Sequence, residues 1–144
     1  MIKVFFDGAC GPQNPGGKCG GGAAIYYDDE LVVEIAESYV PKNPKDTSNN
    51  VGEYWGLIKA LEYLLVQGKA QDEIMVFGDS NLAISQMKGK WRIKNGLYKD
   101  QALAAQKLVK NFSNISFQWI PREKNERADG LSKIALRKTV TYTY

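Results

Sequence analysis

Histidine is absent from the 144-residue sequence, and that one gap removes more chemistry than any other feature of its composition. Without an imidazole there can be no Ser-His-Asp triad, no Cys-His dyad and no His-ligated zinc site. Cysteine is scarce as well. The two present, Cys10 and Cys19, bracket a stretch rich in Gly and Pro, and in a cytosolic chain such thiols are expected to be reduced rather than bridged. Long apolar runs are missing: the longest, such as Leu64 to Val66 and Ile74 to Phe77, fall far short of the ~20 residues a spanning helix needs. The opening residues Met1 to Asp7 read as a strand rather than as a secretory signal. The expectation is therefore a cytoplasmic protein with no membrane segment. Its chemistry must use carboxylates, thiols, Lys, Tyr or a metal held by oxygen.

What is present suits one compact domain. With 44% hydrophobic and 24% charged residues, a chain of this length can bury roughly two thirds of its unfolded surface without staples. The net charge of +3 is uninformative, but its distribution is not. From Lys88 to Lys99 there are five basic residues and no acid, with Trp91 and Tyr98 interleaved. Such a stripe is a candidate nucleic-acid surface; the competing reading is a solvated connector with Trp91 packed into the core.

Periodicity supplies the elements. Residues 2–7 read as a strand, the seven glycines and two prolines of residues 8–22 as a loop, and residues 23–27 and 31–37 as two further antiparallel strands joined at Asp28-Asp29-Glu30. The polar Thr47-Ser48-Asn49-Asn50 suits a helix cap, and Tyr54, Leu57, Ile58, Leu61, Leu64 and Leu65 recur at helical spacing through residues 51–67. This arrangement puts Glu53 in the first helical turn. A buried strand over residues 73–78 ends in Asp79, and Ser80 caps a short helix to Lys88. A further helix covers 98–111, with Leu103, Gln106, Lys107 and Val109 about its apolar stripe. A strand over 115–120 is closed by Pro121, and Asn125 caps a last helix through Leu136. The expected architecture is α/β: a five-stranded mixed sheet, its first three strands antiparallel, with helices on both faces. Residues 1–138 form the domain, and 139–144 a tail or an added edge strand.

In open α/β sheets, ligands gather beyond the carboxyl ends of strands, where Asp7 and Asp79 emerge; Glu53 and Asp129 stand near helix starts and can reach the same edge. Taken singly, each has an ordinary role, as a turn residue or as a partner of a helix dipole. Four carboxylates brought together repel one another unless a divalent cation neutralises them, and an all-oxygen set favours Mg²⁺ or Mn²⁺ over zinc.

The segments Asp7-Gly8-Ala9-Cys10, Thr47 to Glu53, Gly78-Asp79-Ser80 and Asn125 to Asp129 closely resemble, in order, the four signature blocks of type 1 ribonuclease H. The resemblance spans about residues 2–137. It implies a ribonuclease H-like fold and a metal-dependent endoribonuclease that hydrolyses the RNA strand of RNA/DNA hybrids, leaving 5′-phosphate and 3′-hydroxyl ends, with two Mg²⁺ ions about 3.5 to 4 Å apart and Mn²⁺ as substitute. By that analogy Asp7 bridges the ions, Asp129 holds the one that activates water, and Glu53 and Asp79 complete the other. Asn14, Asn49 and Asn50 resemble the hybrid-binding positions, with loop and cap duties as their alternative. Lys88, Lys90, Trp91, Arg92 and Lys94 would contact the nucleic-acid backbone.

Two departures from the family pattern stand out. The basic protrusion of many relatives is shortened here to the few residues between Lys88 and Tyr98. The loop before the last helix, Pro121 to Lys124, lacks their histidine, leaving Arg122 and Glu123 as substitutes or as plain surface residues. These departures place the sequence in a branch whose members include enzymes that also cut RNA/RNA duplexes. A monomer is expected. Two rival readings remain at this level: a non-catalytic hybrid- or duplex-binding module, and another nuclease on the same fold.

Overall fold

The computed structural model describes residues 1–12, 17–41, 43, 45 and 47–144. In chain order the elements are β1 (Ile2–Gly11), β2 (Lys18–Tyr27), β3 (Glu30–Tyr39), α1 (Asn49–Val66), β4 (Glu73–Gly78), α2 (Asn81–Met87), α3 (Lys99–Val109), β5 (Asn114–Trp119), a 3-10 turn (Arg122–Lys124), α4 (Glu126–Ile134) and β6 (Val140–Thr143). The strands form one sheet in the order β5-β4-β1-β2-β3-β6. β1 runs antiparallel to β2 and parallel to β4, and β4 is parallel to β5. Strand direction therefore switches at β1, so the carboxyl ends of β1 and β4 open side by side. Among the described residues no helix is long and apolar enough to cross a membrane.

The sheet has six strands where the sequence predicts five. Val140–Thr143 pairs antiparallel with β3, and the residue after it is fastened further: the Tyr144 hydroxyl donates to Glu34, whose other carboxylate oxygen pairs with Arg127 at 2.8 Å. The meander of the first three strands is as expected, and Asp28 and Asp29, at φ of 49° and 69°, form the primed turn that matches strand twist.

The glycine-rich stretch is largely strand rather than loop, because the helices need its missing side chains. A Cβ on Gly21 would lie 2.2 Å from the Gly56 nitrogen of α1, and one on Gly20 or Gly22 would meet Ala135 at 2.4 Å or the Ala128 carbonyl at 2.5 Å. Glycine thus lets α1 approach β2 from one side and α4 from the other. Two cores result. The larger joins Val4, Phe6, Ile25, Ile74 and Val76 to Tyr54, Leu57, Leu61 and Leu64 of α1 and to Ile84, Ala102 and Ala105 of α2 and α3. The smaller joins Ala24 and Ala36 to Leu131 and Ala135. Each fully buried leucine contributes about 2 kcal/mol, so the inward stripe of α1 fixes that helix on the sheet.

Three local expectations are corrected. Helix α1 begins at Asn49, with the Ser48 hydroxyl accepting from the Val51 amide at 3.3 Å, so Glu53 lies in the second turn. The buried face of α3 is Ala102 and Ala105, while Leu103 is exposed; small residues there let α3 sit close to α1. Asn125 occupies the N-cap position of α4 but makes no capping bond with its side chain. Its amide instead donates to the Phe6 carbonyl at 2.9 Å, tying the start of α4 to β1.

Candidate active site

The site begins with strand geometry. Asp7 continues β1 one residue past Phe6, the partner of Gly78 on β4, and Asp79 follows Gly78 directly. The two carboxylates therefore leave the same edge of adjacent parallel strands. Glu53 arrives from α1, and a close approach brings it there: a Cβ on Gly8 would stand 2.0 Å from the Glu53 nitrogen and 2.3 Å from the Gly52 carbonyl carbon. Only glycine at position 8 permits this contact. One carboxylate oxygen each from Asp7, Glu53 and Asp79 then lie within 4.8 Å of one another.

Asp129, from the first turn of α4, borders the same cleft of about 200 Å³, with Gly8, Asn49 and Arg122 completing its lining. It lies outside the three-oxygen cluster and pairs with Lys133 at 3.0 Å, but it is near enough to Asp7 to add to the upward push on that carboxyl.

The electrostatics are those of crowded acids. Burial, then the Asp79 charge, pushes the Asp7 carboxyl up to about 7 against the opposing Gly8 N–H, which donates to it at 2.8 Å. Burial, followed by Asp7 and Asp79, raises Glu53 to about 8, with a hydrogen bond from Ser80 opposing. Asp79 is also raised by burial, while the Asn125 amide and the Arg122 charge hold it back. Three acids that resist joint ionisation, all offering oxygen, form a set that a hard divalent cation would relieve. The donors fit such an ion.

The other sequence candidates fall into two groups. Asn49 lines the cleft and is exposed; Asn50, next to it in the first turn of α1, is partly exposed and does not line it. Arg122 faces the cleft from the 3-10 turn, whereas Glu123 is exposed and does not line it. Asn14 lies outside the described residues. Lys88, Lys90, Trp91, Arg92 and Lys94 form a second, separate surface. All five are exposed, and Lys90, Trp91, Arg92 and Lys94 line a groove of about 530 Å³ with Leu82, Gln86 and Tyr98. At 48% exposure Trp91 is no core residue. Helix α2, seven residues and roughly 10 Å long, links the groove to the acid cluster.

Two residues at the site escaped sequence reading. Trp119 donates its indole N–H to the Asp79 carbonyl at 3.1 Å; its pairing with Gly78 was implicit in the two parallel strands. Ser80 caps α2 through the Ala83 amide at 3.1 Å and also faces Glu53, a second duty that a cap residue does not announce.

Comparison with known proteins agrees with this arrangement. The Reverse transcriptase-like family matches residues 5–135. The Bifunctional protein Rv2228c of Mycobacterium tuberculosis is 32% identical over 135 residues, 94% of this chain but 36% of its own length, so the chain spans about a third of that relative. The crystal structure of RNase H1 from Halobacterium salinarum superposes with a TM-score of 0.79 at 31% identity, covering 94% of this chain and 96% of that one. LC11-RNase H1 in complex with RNA/DNA hybrid gives 0.77 at 33% identity over 94% and 96% of the two chains. With its strand order, its acid-lined edge and matches that run nearly end to end, the chain belongs to the type 1 ribonuclease H family.

Proposed function

We propose that this protein is a metal-dependent endoribonuclease that cuts the RNA strand of RNA/DNA hybrids, leaving 5′-phosphate and 3′-hydroxyl ends, and that it acts as a cytoplasmic monomer. The observation that carries the reading is the convergence of Asp7, Glu53 and Asp79 oxygens within 4.8 Å at one sheet edge. In the proposed active site these three and Asp129 hold two divalent ions, Mg²⁺ or Mn²⁺. Bound there, the ions would supply Lewis acidity at a phosphodiester and lower the pKa of water.

The chain's own residues do the rest. The buried strand ends fix Asp7 and Asp79, and the Gly8 contact fixes Glu53, so the acids need little rearrangement when an ion and a phosphate arrive. Asn49, exposed at the cleft and carrying both a donor and an acceptor, is suited to the 2′-hydroxyl that separates RNA from DNA, and Asn14 and Asn50 are proposed to join it. Arg122, also at the cleft, offers charge to a phosphate; Glu123 is placed in the same turnover loop. Lys88, Lys90, Arg92 and Lys94 take backbone phosphates along the groove, and Trp91 lies against a sugar. LC11-RNase H1, solved with an RNA/DNA hybrid, supports the hybrid as substrate. RNA/RNA duplex is a second candidate substrate, to be decided by assay.

The test is a gel assay of end-labelled RNA as hybrid, as RNA duplex and as single strand, each with Mg²⁺, Mn²⁺ or EDTA. The expected result is metal-dependent cutting of the hybrid. Cutting of the RNA duplex too would broaden the substrate class. A folded protein that cuts nothing would overturn the nuclease reading in favour of a binding module.

A further inference from the structure

The groove segment, residues 88–98, has no helix or strand of its own, yet it is pinned from beneath by one buried amide. Gln86, at the end of α2, is 2% exposed. Its Oε1 accepts from the hydroxyl of Tyr54 on α1, and its Nε2 donates to the Arg92 carbonyl at 3.0 Å and to the Tyr98 hydroxyl at 3.3 Å. The rings of Tyr54 and Tyr98 lie nearly parallel, at 11° and 6.2 Å between centroids. Two backbone bonds add to the clasp, from the Lys90 and Trp91 amides to the Ser85 carbonyl at 2.9 and 3.2 Å. Oxygen and both amide hydrogens of the side chain are thus engaged, one to the core helix and two to the segment that carries the cations.

We propose that Gln86 is a positioning residue for substrate: its buried amide holds the Lys90 to Lys94 segment against α1 and so sets where the groove cations and Trp91 stand relative to the acid cluster. The inference rests on the proposed function, because it takes that segment to be the surface that meets the nucleic-acid backbone. It assigns the task to a side chain at the floor of the groove that is almost wholly buried. Tyr54 is the next residue after Glu53, so the helix turn that presents the Glu53 carboxylate to the acid cluster also supplies the hydroxyl that orients Gln86. The cleft and the groove are therefore referenced to the same turn of α1.

The chemistry of the amide makes the role testable. Gln86→Met keeps the length of the side chain and loses both donors. Gln86→Glu keeps the shape and sets a carboxylate oxygen against the Arg92 carbonyl, acceptor facing acceptor. With a hybrid substrate each variant is expected to raise KM about tenfold, the effect of losing a buried hydrogen bond, while kcat stays within about twofold of the unmodified protein. The slope of log binding constant against log salt should shrink by about one as a phosphate contact is lost. Hydrogen exchange at the amides of residues 90–94 should quicken about tenfold, with α1 unchanged. A general weakening of the fold would instead quicken α1 as well and lower kcat. If neither Gln86 variant folds, Tyr54→Phe removes only the hydroxyl that orients the amide and should move KM and exchange in the same direction.

Unchanged exchange over residues 90–94, or faster exchange with unchanged KM and salt slope, would overturn the proposal while leaving the nuclease reading in place. Failure of the unmodified protein to bind or cut any hybrid would overturn both.

Discussion

At the scale of single residues the site is defined by a conflict among its acids. Asp79 stands beside Asp7 and Glu53 with its own pKa raised, so Asp79→Asn should have two opposite effects. Cleavage of hybrid should fall by about a thousandfold, as for the loss of a central charge-stabilising group. Thermal stability in EDTA should hold or rise, by about 1 kcal/mol, because repulsion is relieved. A variant that stays active removes Asp79 from the site. The same conflict fixes a pH dependence. Asp7 and Glu53 ordinarily lose their protons near 3.8 and 4.5 but in the fold keep them to about 7 and 8. The folded state then binds more protons than the unfolded one between those limits, so stability is greatest at the acidic end and declines as pH rises through 7 and 8. Melting in EDTA should occur several degrees lower at pH 8.5 than at pH 5.5, and Mg²⁺ should reverse much of the loss at the higher pH. A flat or rising profile in EDTA would contradict this account. Asp7 and Asp79 were readable in the sequence only together, as two carboxylates at strand ends on one sheet edge, in blocks that resemble those of type 1 ribonuclease H; singly each passes for a turn residue. Asn125 was not, since the residue type that fastens α4 to the Phe6 carbonyl also serves as an ordinary cap.

At the scale of elements, close contact between backbones decides the geometry. The Gly8 and Gly52 backbones touch where β1 meets α1. Gly8→Ala must therefore push the helix outward, and the expected cost is about 2 to 3 kcal/mol of stability, in the range of overpacked cores. Cleavage should fall further than stability does, because the displaced turn carries Glu53. Calorimetry and the hybrid assay on one preparation check both halves. Helix α1 was legible from its apolar period, β4 from a short apolar run and β5 from its alternation. The first half of β2 was not, because glycine has no side chain with which to alternate: residues 20–22 read as a loop although α1 and α4 press on them from opposite faces. The inward face of α3 failed for a related reason, its alanines being weaker markers than the outward Leu103. The sixth strand is a matter of partnership. Val140–Thr143 has strand propensity, but only the open edge of β3 and the Glu34 carboxylate show what it would pair with.

At the scale of the whole molecule, four of the sixteen acids line one cleft while cations flank the groove beyond α2. A modest net charge of +3 thus conceals a surface divided between ion and polyanion. Hybrid binding measured in Ca²⁺ or with an inactive variant should weaken linearly in log salt with a slope of about −3 to −4, as four phosphate contacts from Lys88, Lys90, Arg92 and Lys94 would give. A slope near zero would mean that these cations are not part of the interface. Division of labour of this kind cannot be read from charge counts. It depends on α2, which joins the two surfaces.

The Asn125 amide joins residue 125 to the carbonyl of residue 6, and the acids themselves run from Asp7 to Asp129. A polypeptide emerging from the ribosome therefore presents its first carboxylate long before its last, and β1 must wait for α4 before the cleft is walled. During synthesis the nascent chain passes among messenger and ribosomal RNA without a finished site, and the full acid constellation assembles only once every residue from 7 to 129 has been made.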